Sequence, residues 1–296
     1  RAMRRLWSLS SPAQRGRGTA RSVVEGAAPG AEPGLAPATA SRSPSPINAG
    51  GKTRVITLSL IGLLSAQVAA FALDALLPPD MTRAERSSPV TLDRRGAWLR
   101  ALPVEDGRWR IRADLDRTDA TFTKRLIKIE DGRFWLHPGV DPLAVVRAAG
   151  SAVASGRVSS GASTLTMQTA RLLEPRPRTL PAKAIEMVRA VQLEARLSKR
   201  EILALYLTLA PYGGNLEGVR AASLSYFGHE PETLTAGEQA LLIALPQSPE
   251  ARRPDRRPEA ARAARQQALD KMVRMGALTG VDAAEAEEEP LPSRAP

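Results

Sequence analysis

The apolar positions between residues 121 and 249 follow the spacing of amphipathic helices. Helix starts in this region carry recognisable capping residues. Asp141 stands before Pro142, a pair typical of an N-cap followed by the first helical position. Two other starts place a hydroxyl residue three positions before a glutamate, as in a capping box, namely Ser198 with Glu201 and Thr235 with Glu238. These patterns predict a mainly α fold.

The flanks of this helical region have different patterns. Residues 78–120 alternate apolar and polar positions around the turn sequences RRG and EDG, which predicts a linker with a short strand module. A last helix is predicted from about Pro258 to Met275, and the acidic residues that follow predict a C-terminal tail over 276–296. We therefore place the main domain at residues 121–275.

An uncharged run of nineteen residues, Val55 to Leu73, precedes this domain. At ~1.5 Å per residue such a helix is about 28 Å long, close to the hydrocarbon thickness of a bilayer. The run predicts a single transmembrane helix over 54–77. A cleaved signal peptide and a buried core helix are the alternatives, although a signal peptide usually has a shorter apolar core nearer the N-terminus.

The composition narrows the choice of function. The chain of 296 residues has no cysteine, which excludes disulfides, thiolate metal sites and cysteine nucleophiles. Residues 1–54 carry nine basic and two acidic side chains, so they hold most of the net charge of +11. Because residues 1–51 are also rich in Pro, Ala, Gly and Ser, they predict a disordered basic tail, cytoplasmic by the positive-inside rule. This distribution argues against a nucleic-acid partner.

Two clusters of polar residues are candidates for chemistry. Glu130 and Asp131 lie side by side at a helix end, with His137 six residues later. Adjacent acids at a helix end are commonly solvated surface groups, and a lone histidine is commonly an ordinary loop residue. Lys183 and Glu186 share a helical face and could equally be a surface ion pair.

A run of small and hydroxylated residues lies between these clusters, at a predicted helix entrance. The unpartnered backbone N–H groups of such an end suit phosphate, although a Ser/Thr-capped helix is the plainer interpretation. The run comprises Gly161, Ser163, Thr164, Thr166 and Gln168.

The order and the residue patterns of these segments resemble those of the family 51 peptidoglycan glycosyltransferases, the glycosyltransferase domain of class A penicillin-binding proteins. The resemblance is to their C-type subgroup in particular. The motif E-D-x-x-F-x-x-H-x-G is matched by Glu130, Asp131, Phe134, His137 and Gly139. The motif G-x-S-T-x-T-x-Q is matched by the hydroxyl-rich run. The motif K-x-x-I-L-x-x-Y-L-N is matched by Lys199, Ile202, Leu203, Tyr206 and Leu207. Two positions depart from the family pattern: Ala182 replaces an arginine beside Lys183 and Glu186, and Thr208 replaces an asparagine.

The resemblance spans about Val90 to Met275 and implies a lysozyme-like helical lobe with a small membrane-proximal lobe. It implies polymerisation of lipid II into glycan strands with release of undecaprenyl pyrophosphate. Glu130 is then the general base, and Glu186 supports the donor side through nearby cations or a divalent cation, Mg or Mn. The pyrophosphate contacts implied are Arg171, Arg178 and Lys183. The other substrate-site residues implied are Asp131, Phe134, His137, Ser163, Thr164 and Gln168, of which Phe134 and His137, with Gly139, are expected to shape the loop that presents Glu130.

The implied partners are lipid II, the growing glycan strand, the membrane and other cell-wall synthesis proteins. The implied location is the inner membrane, with the catalytic domain in the periplasm. Neither S-x-x-K nor K-T-G occurs in the chain, so we expect no transpeptidase activity and a truncated or fragmentary form. A lytic enzyme that cleaves glycan and a non-catalytic scaffold are the competing hypotheses.

Overall fold

The computed structural model describes Thr57, Leu58, Ser65 and residues 74–95, 98–155 and 163–293. The chain divides into one unit that ends at Leu58 and a second that begins at Ser59, and every element below lies in the second. The predicted N-terminal tail lies outside the described residues, and so does most of the predicted membrane segment. No helix within the described ranges is long and apolar enough to cross a membrane.

Helices dominate the described part of the chain, which confirms the mainly α prediction. The α-helices are α1 Thr82–Glu85, α2 Ala120–Glu130, α3 Pro142–Ser155, α4 Leu165–Leu173, α5 Leu180–Arg196, α6 Lys199–Leu209, α7 Val219–Tyr226, α8 Ala236–Ala244, α9 Pro258–Arg274 and α10 Gly280–Glu288. Short 3-10 helices cover Leu115–Arg117, Phe134–Leu136 and Leu245–Gln247.

The strands are short and form two small sheets. They are β1 Val90–Leu92, β2 Trp98–Ala101, β3 Trp109–Arg110, β4 Pro211–Gly213 and β5 Leu216–Glu217. β1 and β2 form an antiparallel hairpin in which Val90 faces Ala101. The second sheet has the order β3-β5-β4, with β3 parallel to β5 and β4 antiparallel to it. The second sheet thus joins the strand module of residues 78–120 to the chain that follows α6.

Capping interactions begin the helices where the sequence predicts them. The Ser198 and Thr235 side chains each accept a hydrogen bond from the backbone N–H three residues on. The glutamate side chain of each pair accepts one from the backbone N–H of the capping residue, so both capping boxes are present. Asp141 Oδ1 accepts the N–H groups of Leu143 and Ala144 at the start of α3.

The main core forms where α6, α8 and α9 meet the end of α2. Ile202, Leu207, Leu241 and Leu242 are almost wholly excluded from solvent there, and burial of such side chains stabilises the fold by about 1.5–3 kcal/mol each. α4 packs against both α5 and α6 and carries the side chains of the site described below.

The C-terminal segment differs from the predicted acidic tail. Residues Gly280–Glu288 form α10, which packs on α8 and α9 and buries Ala286. Thr279 caps this helix by accepting the N–H of Asp282. The acidic composition concealed a helix that buries Ala286 against its neighbours while Val281 stays exposed.

One buried ion network ties the strand module to the helical region. Arg110 is fully buried on β3, and its guanidinium lies 2.6 Å from the Glu217 carboxylate on β5. Arg83 of α1 donates to the other Glu217 oxygen at 2.6 Å. Removing one partner of such a pair leaves an uncompensated buried charge, so these contacts hold the module in one position.

Candidate active site

Glu130 is the last residue of α2, and the chain turns sharply after it. Asp131 follows as the C-cap with φ −156°, and its buried carboxylate accepts the N–H of Leu165, the first residue of α4, at 2.9 Å. The partial positive charge of that helix start favours the carboxylate. Glu130 and Asp131 therefore point in different directions, as consecutive residues must.

The loop after Asp131 is fixed by buried contacts. His137 Nε2 lies 3.0 Å from each oxygen of Asp131, and its buried Nδ1 has no hydrogen-bond partner among the described residues. Phe134 is fully buried, with the Lys199 ammonium 4.5 Å from the centre of its ring. Phe134 and His137 are thus packed into this loop, and neither side chain presents a free face to solvent.

Lys199 and Thr164 hold the far end of this loop through its carbonyl groups. Lys199 Nζ donates to His137 O at 2.7 Å, and Thr164 Oγ1 donates to Gly139 O at 2.5 Å. Gly139 has φ +90°, and a Cβ there would lie 2.6 Å from the carbonyl oxygen of Ala190 on α5. Only glycine tolerates this approach and this backbone conformation. These contacts hold the loop behind Glu130, the platform of the site, in one conformation.

Glu130 itself is held by two amides. Gln168 Nε2 on α4 lies 3.1 Å from its Oε2, and Gln247 Nε2 lies 3.0 Å from its Oε1. A carboxylate oxygen accepts more than one hydrogen bond, so both oxygens can still take a proton from a substrate. Burial, and after it the negative charge of Glu130, raises the pKa of Tyr206 on α6 well above its usual value, so that phenol stays neutral beside the carboxylate.

The second cluster surrounds Glu186 on α5. This carboxylate is buried, and the Lys183 ammonium lies 3.1 Å from its Oε2 while Arg171 Nη1 lies 3.9 Å from its Oε1. Lys183 Nζ also donates to Ser163 Oγ at 2.5 Å. Two cationic groups and a hydroxyl therefore converge where an anionic leaving group could be stabilised.

Helix α4 joins the two clusters. Gln168 and Arg171 are three residues apart on it and so share one face, with Gln168 at Glu130 and Arg171 at Glu186. The capping residue Thr164 and its neighbour Ser163 begin the same helix. One helix, α4, therefore contacts both the Glu130 carboxylate at the end of α2 and the Glu186 cluster on α5.

A cleft of about 410 Å³ lies against Glu130 and the start of α4. Three basic side chains that the motif analysis did not single out also line it, namely Lys128, Arg133 and Arg147. Arg133 forms a bidentate pair with Asp141 at 2.6–3.0 Å, whereas Arg147 is exposed. The cleft therefore combines the carboxylates of Glu130, Asp131 and Asp141 with several positive charges.

Not every residue expected at the site is brought to it. Arg178 is exposed on the turn before α5, and no contact with the Glu186 cluster is found within the described ranges. Gly161 lies outside those ranges. The two departures from the motifs have plain structural surroundings: Ala182 is buried at the start of α5, and Thr208 Oγ1 accepts the N–H of Ala113 at 3.0 Å.

The chain is similar to proteins of known family over most of the described region. The family model described as Transglycosylase matches residues 96–273, more than half of the chain. The chain belongs to the transglycosylase family.

Three relatives show how far the likeness extends. The chain is 44% identical to penicillin-binding protein 1C of Escherichia coli, over 76% of this chain and 29% of that protein. It is 33% identical to penicillin-binding protein 1A of Aquifex aeolicus, over 78% of this chain and 33% of that protein. It is 41% identical to penicillin-binding protein 1A of Escherichia coli, over 57% of this chain and 20% of that protein. The chain thus spans a third or less of the length of these relatives.

The site of this transglycosylase does not present a ready cage for a divalent cation. No group of three or more His, Asp or Glu side chains comes together in the part of the chain that the structure describes. Glu186 faces Lys183 and Arg171, which offer only donors. We therefore derive no catalytic step through a metal.

Proposed function

We propose that this chain is a peptidoglycan glycosyltransferase that polymerises lipid II into glycan strands and releases undecaprenyl pyrophosphate. The observation that supports it most is the arrangement on α4, where Gln168 meets the carboxylate of Glu130 and Arg171 meets the cationic cluster at Glu186. Membership of the transglycosylase family gives the reaction class.

Glu130 is the general base in this proposal. It removes the proton from the 4-hydroxyl of the acceptor sugar, and the oxygen then forms a bond to the anomeric carbon of the donor chain. A hydroxyl is a weak nucleophile until a base within hydrogen-bond reach takes its proton, so this step needs a carboxylate held in place. The amides of Gln168 and Gln247 provide that placement.

Lys183 and Arg171 stabilise the leaving group. As the bond between the anomeric carbon and the pyrophosphate oxygen breaks, the electron pair passes to the pyrophosphate, whose charge the two cations offset. Glu186 orients Lys183 at 3.1 Å and Arg171 at 3.9 Å rather than reacting itself. Arg178, exposed on the adjoining turn, can reach the same polyanion when substrate is bound.

The proposed location is the outer face of the inner membrane, with the N-terminus in the cytoplasm. A substrate with a long polyprenyl tail stays in the bilayer, so its enzyme must work at the membrane surface. The apolar run from Val55 to Leu73 would anchor the chain there. The growing glycan strand and other cell-wall synthesis proteins are the proposed partners.

The test is incubation of the purified, detergent-solubilised chain with lipid II, followed by gel analysis of glycan strands and assay of released pyrophosphate-linked lipid. We expect both products. Cleavage of finished glycan without use of lipid II would instead identify a lytic enzyme. If the folded chain neither polymerises lipid II nor cleaves glycan, the result would favour a non-catalytic scaffold.

A further inference from the structure

The carboxylate of Glu130 is held by a residue far along the chain. Gln247 ends the 3-10 helix after α8, and its Nε2 reaches Glu130 Oε1 across 117 positions of sequence. Gln168 donates to the other oxygen, Oε2. Each carboxylate oxygen therefore receives one amide N–H, and the two donors come from unrelated elements.

Arg252 determines which end of the Gln247 amide faces Glu130. Its Nη1 lies 3.3 Å from Gln247 Oε1 and 2.7 Å from the carbonyl oxygen of Ala244. Because a guanidinium can only donate, the amide oxygen must face Arg252 and the NH₂ group must face Glu130. Both oxygens of Glu130 therefore face amide donors of fixed direction.

We propose that Gln247 is a positioning residue for the base: held by Arg252, it fixes the orientation of the Glu130 carboxylate at the cleft. The proposal rests on the proposed function, in which Glu130 is that base. A carboxylate that has a donor on each oxygen cannot rotate without losing both hydrogen bonds, and each bond strengthens once substrate excludes water from the cleft.

Other charged or titratable groups also surround Glu130 and contribute to its environment in every variant. They are Lys128 and Asp131 close to it in sequence, Arg133, Asp141 and Arg147 in the cleft, Tyr206 on α6 and Arg252 after α8. The test therefore changes Gln247 alone and compares variants of similar length.

The experiment measures kcat and KM for glycan formation from lipid II. Gln247→Met keeps the length of the side chain but removes the N–H, so kcat should fall by about ten- to a hundredfold while KM for lipid II changes by less than about threefold. Gln247→Lys keeps a donor at this position, so it should retain more of the wild-type kcat than Gln247→Met does. Gln266→Met, which removes an exposed glutamine from α9, should leave both constants unchanged.

A second measurement separates this inference from the proposed function. The carboxyl carbon of Glu130 is labelled with ¹³C, assigned with Glu130→Gln, and recorded by NMR in the wild type and in Gln247→Met. We expect its resonance to shift and broaden in Gln247→Met but not in Gln266→Met, whether or not the chain polymerises lipid II. An unchanged resonance, or a kcat like that of wild type in Gln247→Met, would overturn the positioning role. A wild type that does not polymerise would instead overturn the proposed function.

Discussion

At the scale of single residues, the loop behind Glu130 packs so closely against α5 that larger side chains do not fit. Gly139 shows this most directly. Its backbone has φ +90°, and the space where a Cβ would lie is taken by the carbonyl of Ala190. Thr164 and Lys199 then fix the carbonyl groups of the same loop. One misplaced side chain here would shift the platform that carries the proposed base.

We expect Gly139→Ala to destabilise the fold by about 3 kcal/mol or more, because it adds both backbone strain and a clash with Ala190. Gly107 is a matched control: it has φ +75°, but no atom lies within 4 Å of the Cβ position. Gly107→Ala should therefore cost only about 1–2 kcal/mol. The free energy of unfolding in urea measures both, and equal losses would contradict the close approach at Gly139.

At the scale of elements, α4 and α5 hold the segment that follows the apolar run. Glu174, at the end of α4, accepts the N–H of Asp80 at 2.9 Å and pairs with Arg176 and Arg189. Arg189 Nη1 also donates to Leu77 O at 2.5 Å. Segment 74–80 is thus attached to the same two helices that carry the cationic cluster.

The Glu174 contacts predict a pH-dependent contribution to stability. Burial opposes its ionisation, but the Asp80 N–H and the charges of Arg176 and Arg189 outweigh it and hold the pKa of Glu174 below its usual value. A lowered pKa means that this stabilisation is present above the unfolded value of about 4.3 and is lost as pH falls through the folded one.

Glu174→Gln should therefore lower the free energy of unfolding by about 1–3 kcal/mol at pH 7, and the difference from wild type should shrink below about pH 4. Glu259→Gln, which breaks an exposed ion pair with Arg262, should change stability by less than about 1 kcal/mol. Chemical unfolding at several pH values provides the measurement. A deficit in Glu174→Gln that does not depend on pH would contradict the role of its charge.

The elements also show which features can be predicted from sequence. The capping boxes at Ser198 and Thr235 and the start at Asp141 depend on residues three positions apart, so their sequence signals suffice. The Thr279 cap of α10 carried the same kind of signal, but the acidic composition after it suggested a tail.

Contacts between distant positions left no comparable sequence signal. Gln247 reaches Glu130 across 117 positions, and Arg110 reaches Glu217 across 107. Which glutamine or arginine makes such a contact is decided by packing rather than by local pattern. The motif residues of the candidate site could therefore be named from sequence, including Gln168, which holds Glu130, whereas Gln247 and Arg252 could not.

At the scale of the whole molecule, the proposed function requires the chain to work at one face of a bilayer. The uncharged run from Val55 to Leu73 follows a tail with nine basic and two acidic side chains. The excess of positive charge on one side of an apolar segment favours retention of that side in the cytoplasm. The proposed site must then face the other side.

We expect a reporter fused after Pro78 to be exported and one fused before Lys52 to stay inside the cell. An alkaline phosphatase fusion, active only after export, and a green fluorescent protein fusion measure the two sides. As a control, substitution of the basic residues of the tail with neutral ones should weaken the orientation. Cytoplasmic activity of the fusion after Pro78 would contradict the proposed topology.

Polymerisation of lipid II by Glu130→Gln, compared with wild type, tests the central claim most directly. The substitution keeps the size of the side chain but removes its ability to accept a proton, so glycan formation should fall by about 10²- to 10⁴-fold. The variant should stay folded by circular dichroism and still bind an inhibitor that mimics the donor pyrophosphate, because the Glu186 cluster is untouched. Glu259→Gln, on the exposed start of α9, should polymerise like wild type. Near wild-type glycan formation by Glu130→Gln would contradict the assignment of Glu130 as the base.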